Sequence, residues 1–266
     1  MVRGFLSFLL DSLVPVSCVA CGRGIDGEDG APPSEGAAAR RAFDPGGLHH
    51  ELFAGIRMPA RILCAECWRS LDRSPAGASL PVEGGGASVP LVSPFYTNDA
   101  LLAVVRFLKF SGGRSAVPPL AWWMAHALRA RLERPAGAGC AEAVLVPVPL
   151  HPRRLRERGY NQAFLLARGV GKALGLPVEG DALARARNTR SQSKLENDDR
   201  ARNVRGAFTL VRPDLVAGRT IVLVDDLVTT GGTARACLDA LFGADPASAA
   251  VLAAGRAGDA GSGTRA

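Results

Sequence analysis

The chain has 266 residues, is 47% hydrophobic and 21% charged, and carries a formal net charge of +7. This length holds one ordinary domain plus a smaller module, with enough apolar residues for a real core. No stretch reaches the ~18 consecutive apolar residues that a membrane-spanning helix needs.

Nearly all the positive charge is arginine, with Lys109, Lys172 and Lys194 the only lysines. Arginine suits bidentate phosphate contacts. It equally suits a GC-rich genome, so only local clusters are read functionally. At the N-terminus, Arg3 and the apolar run Phe5 to Leu10 imitate a short signal peptide, but Asp11 interrupts it and no small-x-small cleavage site follows. Ser17-Cys18 faintly suggests a lipoprotein site, yet Pro15 stands where an aliphatic residue belongs. An apolar helix packed on its own domain is the better reading, and the expected location is the cytoplasm.

Four of the six cysteines form two Cys-x-x-Cys pairs, Cys18/Cys21 and Cys64/Cys67. Each pair presents two thiolates from one tight turn, and two such knuckles complete a tetrahedral zinc shell. Redox-active or incidental cysteines are the alternatives, but a thioredoxin-like motif belongs in a βαβ unit, which is not evident here. The gap between the pairs is long and rich in Gly, Ala, Pro and Asp, and reads as a flexible insertion over about 25–57. His49 and His50 within it read as solvated. Residues 1–75 are therefore expected to form an N-terminal helix and a zinc module.

Residues 76–88 read as a Pro/Gly/Ala-rich linker to a larger domain over 89–255. Val89 to Tyr96, with two prolines, suggests an edge strand. Amphipathic spacing predicts a helix over 99–110, and a second is expected over about 120–132 with Trp122, Trp123 and Met124 as packing residues. Ala143 to Leu150 reads as a buried strand. It leads into an arginine-rich loop, His151 to Gln162, whose Arg153, Arg154 and Arg158 form either a solvated face or a cradle for pyrophosphate. A helix follows over about 161–174, closed by Gly175. The polar stretch 187–204 reads as a mobile lid. The last strand is expected at 249–254, and 256–266 as a disordered tail.

The most informative stretch runs from Ile221 to Thr233. Ile221-Val222-Leu223-Val224 reads as a strand buried on both faces of a parallel sheet. It ends in Asp225-Asp226. Thr229-Thr230-Gly231-Gly232-Thr233 then opens a helix, and unpaired N–H groups at a helix N-terminus suit a phosphate. Adjacent carboxylates are good acceptors for vicinal sugar hydroxyls, so the combination asks for a ribose and a phosphate. The bland alternative is an ordinary strand–turn–helix with two solvated carboxylates.

That stretch resembles the phosphoribosyl-pyrophosphate (PRPP) fingerprint of type I phosphoribosyltransferases. Added to it are the cysteine pairs and Pro147-Val148-Pro149-Leu150-His151 with Arg153, Arg154 and Arg158-Gly159-Tyr160-Asn161-Gln162. Further on come Arg187, Gln192 and Leu195, then Arg200, Asn203, Val204, Ala207 and Phe208. Together they resemble the ComF family of bacterial proteins, related to amidophosphoribosyltransferases. The resemblance implies an α/β fold, a type I phosphoribosyltransferase-like parallel sheet flanked by helices, with a small four-cysteine zinc module. It implies that Asp225 and Asp226 serve the ribose, and Thr229, Thr230, Gly231, Gly232 and Thr233 the 5′-phosphate. Arg153, Arg154 and Arg158 would serve the pyrophosphate, and Arg187, Gln192, Arg200 and Asn203 a lid. Mg2+ would accompany PRPP, and Zn2+ would be structural. Members are linked to competence and DNA uptake, so a PRPP or nucleotide sensor, or a factor binding single-stranded DNA, is the rival to an active transferase.

Overall fold

The computed structural model describes residues 17–25, 62–82, 88–110, 112–133, 143–185 and 206–258. The expected N-terminal helix, the inter-cysteine insertion with His49 and His50, the lid residues and most of the tail lie outside them. The chain divides into two compact units, Met1–Asp72 with Asn98–Pro119, and Arg73–Thr97 with Leu120–Ala266. The cysteine-bearing unit thus takes in Asn98–Pro119, which the sequence reading assigned to the larger domain.

In the first unit, Cys18 and Gly22 close a tight turn, the Gly22 N–H donating to the Cys18 carbonyl at 2.8 Å. Gly22 has φ 74°, a left-handed conformation that glycine adopts without strain. Helix α1 (Ala65–Arg69) starts directly after Cys64 and places Cys67 inside its single turn. The Val19 N–H donates to the Ile62 carbonyl at 2.9 Å, tying the two turns together. Helix α2 (Asp99–Phe110) buries Ala100, Leu101, Val104, Val105 and Leu108, the stripe that its spacing predicts. Asn98 accepts from the Leu101 N–H and donates to the Ser70 carbonyl, joining the start of α2 to the end of α1.

The second unit is built on a sheet in the order β1-β2-β8-β7-β4, with β3 beside β8. These are β1 (Ser79–Pro81), β2 (Ser88–Val92), β3 (Phe95–Tyr96), β4 (Ala143–Pro147), β7 (Thr220–Val228) and β8 (Ser248–Arg256). The pairings β2–β8, β3–β8, β4–β7 and β7–β8 are all parallel. β4 and the first part of β7 are buried residue after residue, as expected of a parallel sheet covered on both faces. Helix α3 (Val117–Leu132) begins three residues before its expected start.

Three further elements shape the site. Helices α4 (Pro152–Arg158) and α5 (Gln162–Leu174) follow β4, and α6 (Gly232–Phe242) follows β7. A separate two-stranded antiparallel sheet joins β5 (Leu183–Arg185) to β6 (Phe208–Leu210). Two local expectations change. Ser88–Val92 is not the edge of the sheet, because Ser79–Pro81, within the expected linker, pairs antiparallel outside it, whereas Phe95–Tyr96 pairs in the sheet with β8. The arginine-rich stretch is not a loop. His151 Nδ1 accepts from the Arg153 N–H at 3.2 Å, Pro152 takes the first helical turn, and Gly159 at φ 78° closes the helix. Local capping makes a helix of the stretch expected to be a loop at the strand's end.

A candidate ribose-phosphate site on the central strand

Strand β7 does not end at the aspartates but continues through Leu227 and Val228, which pair with Gly255 and Arg256 of β8. Asp225 and Asp226 are therefore fixed by the sheet, with relative exposures of 9% and 3%. Carboxylates so buried need compensating donors and charges. One donor is local, since Asp225 Oδ1 accepts from the Asp226 N–H at 2.8 Å.

Successive side chains on a strand point to opposite faces. Ile221 and Leu223 pack in one cluster with Cys237, Leu238 and Leu241 of α6, Leu183 of β5 and Phe208 of β6. Asp225 falls on that face, and Asp226 on the other. The electrostatics follow this division. Burial pushes the Cys237 thiol well above its ordinary range, and the Asp225 charge adds to the rise. Burial also lowers the Arg185 guanidinium, while Cys237 and Asp225 pull it back and Arg154 opposes them. On the other face, burial lowers the Arg158 guanidinium and Asp226 is the largest opposing influence. Asp225 thus lies within electrostatic reach of Arg185, and Asp226 of Arg158.

The loop after β7 supplies the second half of the site. Thr229 and Thr230 are exposed, Thr233 is half-buried, and Gly231 is buried at φ 77°. Helix α6 begins at Gly232 with Gly231 at its N-cap, and no side chain caps it. Its first N–H groups, with the positive end of the helix dipole, are suited to an anion.

The three candidate pyrophosphate arginines do not behave alike. Arg154 and Arg158, one turn apart on α4, are half-buried and lie within electrostatic reach of the site. Arg158 also donates to Gln162 Oε1. Arg153 is exposed and its Nε donates to Glu157 at 2.9 Å. Arg187, Gln192, Arg200 and Asn203 lie outside the described residues.

Arg185 and the capping role of Asn161 were not anticipated from the sequence. Arg185 stands in a three-residue strand too short to show periodicity; only the cross-strand register Arg185↔Phe208 places its guanidinium 5.3 Å over the Phe208 ring. Asn161 caps α5 by accepting from the Ala163 and Phe164 N–H groups, and donates to the Val148 carbonyl at 3.0 Å. Its position just before an apolar helix was the available signal.

Residues 161–262 match the family model of the phosphoribosyl transferase domain. The chain is 39% identical over 90 residues to Competence protein F of Haemophilus influenzae, covering 34% of this chain and 39% of that protein. It is 43% identical over 89 residues to DNA utilization protein YhgH of Escherichia coli K12, and 36% identical over 90 residues to Competence protein ComFC of Bacillus subtilis. The chain thus carries a phosphoribosyltransferase domain and is similar, over about a third of its length, to competence and DNA utilization proteins. The match spans less than two-fifths of the length of these relatives.

The first unit brings the two cysteine pairs together. The thiol sulfurs of Cys18, Cys21, Cys64 and Cys67 lie within 4.8 Å of one another. Cys21 and Cys64 Sγ are 3.8 Å apart, and thiolates on one tetrahedral zinc with bonds of about 2.3 Å stand about 3.8 Å apart. Burial pushes the Cys18 thiol up, but backbone hydrogen bonds from Cys64, Cys21 and Ala20 and one from the Cys21 side chain bring it down to about 7. Cys67 is pushed up, by burial first and then by its three neighbouring thiols. Four mutually repelling thiols gathered at one point suit a soft divalent cation.

Proposed function

We propose that this protein binds PRPP at the C-terminal end of β7 and positions it for substitution at the anomeric carbon. The supporting observation is the pair of sheet-buried carboxylates Asp225 and Asp226 directly ahead of the uncapped, glycine-opened helix α6. Asp225 and Asp226 take the ribose hydroxyls, directly or through metal-bound water. Thr229, Thr230, Gly231, Gly232 and Thr233 hold the 5′-phosphate. Arg154 and Arg158 face the pyrophosphate, with Arg153 at its margin. Arg187, Gln192, Arg200 and Asn203 belong to the lid that excludes water.

Substitution at the anomeric carbon builds positive charge on the sugar as pyrophosphate departs. The protein's part is positioning and charge stabilisation rather than proton transfer. Bound Mg2+ supplies neutralising charge to the pyrophosphate, with Asp225 and Asp226 as the nearby carboxylates. Cys18, Cys21, Cys64 and Cys67 hold a structural Zn2+. No helix among the described residues is long and apolar enough to cross a membrane, and action in the cytoplasm is part of this proposal.

The alternative is a non-catalytic protein that senses PRPP or a nucleotide, or one that binds single-stranded DNA, the latter favoured by the relatives' names, competence and DNA utilization. Helix α4 buries none of its residues and exposes Arg153 and Arg156, a surface compatible with phosphate backbone. A turnover screen separates the two. A transferase releases pyrophosphate from PRPP with one of a panel of acceptors, whereas a sensor binds PRPP without release. A DNA-binding role predicts salt-dependent affinity for single-stranded DNA that survives Asp225→Asn with Asp226→Asn and falls when Arg153 and Arg154 are neutralised.

A further inference from the structure

Strand β1 stands apart from the sheet it joins. The four parallel pairings form the body of that sheet, whereas Ser79–Pro81 is three residues long and pairs antiparallel with β2 alone. Its outer residues are exposed, and only Leu80 is buried, at 6%.

Leu80 is buried against the loop that follows β7. A Cβ built on Gly231 would lie 2.7 Å from Leu80 Cδ2. Carbon atoms pack at about 3.5–4.0 Å, so the pair is closed to any larger residue. The second link to β1 comes from the first turn of α6. Arg235 Nε donates to the Pro81 carbonyl at 3.0 Å. The same guanidinium lies beside Gly231, its terminal nitrogen 3.5 Å from that Cβ position. Gly231 is therefore flanked by Leu80 on one side and by Arg235 on another, and both engage β1. The Arg235 N–H completes the arrangement by donating to the Gly231 carbonyl at 2.8 Å.

Helix α6 has no side-chain cap, so the order of its first turn has to come from elsewhere. A loop left to fluctuate would lose affinity through the entropy of ordering it at each binding event. We propose that β1 is a strap that holds the phosphate loop in its binding conformation, with Leu80 and Arg235 as positioning residues. They act through Gly231 and the N–H groups of residues 229–233. The proposal rests on the assignment of that loop to a phosphate monoester and names what keeps it in shape.

Two probes in calorimetry on the full chain, ribose 5-phosphate and magnesium pyrophosphate, test it with Leu80→Ala, Arg235→Leu and Arg235→Lys. Ribose 5-phosphate affinity should fall about tenfold in Leu80→Ala and Arg235→Leu, while magnesium pyrophosphate affinity stays within about twofold. Arg235→Lys, which can still donate to the Pro81 carbonyl, should recover most of the loss. Amide exchange over residues 229–234 should quicken in the two weakened variants. Unchanged ribose 5-phosphate affinity, or equal weakening toward both probes, would overturn the strap. A wild-type protein that ignores ribose 5-phosphate would instead contradict the phosphate assignment. Amide exchange still judges the strap in that case, and unchanged rates over 229–234 would reject it.

Discussion

The four-cysteine cluster and the aspartate pair on β7 each gather mutually repelling groups, and they do so by different means. Around the cysteines, the described scaffold is two turns, the five-residue helix α1, hydrogen bonds such as Val19 to Ile62, and the buried side chains of Ile62, Leu63, Trp68 and Leu71. Arg23 and Glu66 add an ion pair at 2.7 Å, but both side chains are about two-thirds exposed, where such a pair contributes little. Around the aspartates, β4, β7 and β8 run in register and Ile221, Leu223, Val251 and Leu238 are fully buried. The aspartates are held in place by the apolar burial of the strands around them. The cysteine unit buries Leu63 and the α2 stripe, but its four thiols sit on short turns and suit a bound ion.

The comparison breaks first at the metal. The protein should carry about one zinc per chain, and Cys64→Ser with Cys67→Ser should abolish it. Structural zinc contributes on the order of 10 kcal/mol to the folding of small modules. Metal analysis and amide exchange over residues 62–70 would both register the loss.

Next in size is the aspartate site itself. Asp225→Ala removes the acceptor of the Asp226 N–H and a charge near Arg185, and should cost about 1–3 kcal/mol in urea unfolding. Asp225→Asn keeps an oxygen at that position and should cost less than Asp225→Ala. Stabilities in the reverse order would contradict the assignment of that hydrogen bond.

Gly231→Ala should destabilise by about 1–2 kcal/mol from the left-handed backbone alone, with overlap against Leu80 added. Combining it with Leu80→Ala should relieve the overlap but not the backbone strain, giving a double-mutant coupling that urea titrations can measure. Smallest is Asn161→Ala, which removes the α5 cap and the bond to the Val148 carbonyl at a cost of about 1 kcal/mol.

Patterns carried by contiguous residues were readable from sequence. The run Ile221 to Val224 announced a doubly covered parallel strand, the spacing of Leu101, Val104, Val105 and Leu108 announced α2, and the cysteine spacing announced a four-thiol cluster. What stayed hidden depends on neighbours distant in sequence. Ser79–Pro81 has a linker's composition, and becomes a strand only because β2 offers an edge and Leu80 finds Gly231. Arg185 joins the site through cross-strand register, which three residues cannot encode alone. The opposite facing of Asp225 and Asp226 was implicit in strand alternation, but became visible only once β7 was seen to continue past them to Val228.

Under the proposed function, Asp225, Asp226 and the loop Thr229 to Thr233 hold PRPP. Calorimetry with PRPP and Mg2+, on wild type and on Asp225→Asn combined with Asp226→Asn, tests it most directly. The account predicts saturable 1:1 binding by the wild type that the double variant loses while it remains folded. A folded wild type that fails to bind, or a double variant that binds as well as wild type, would contradict it.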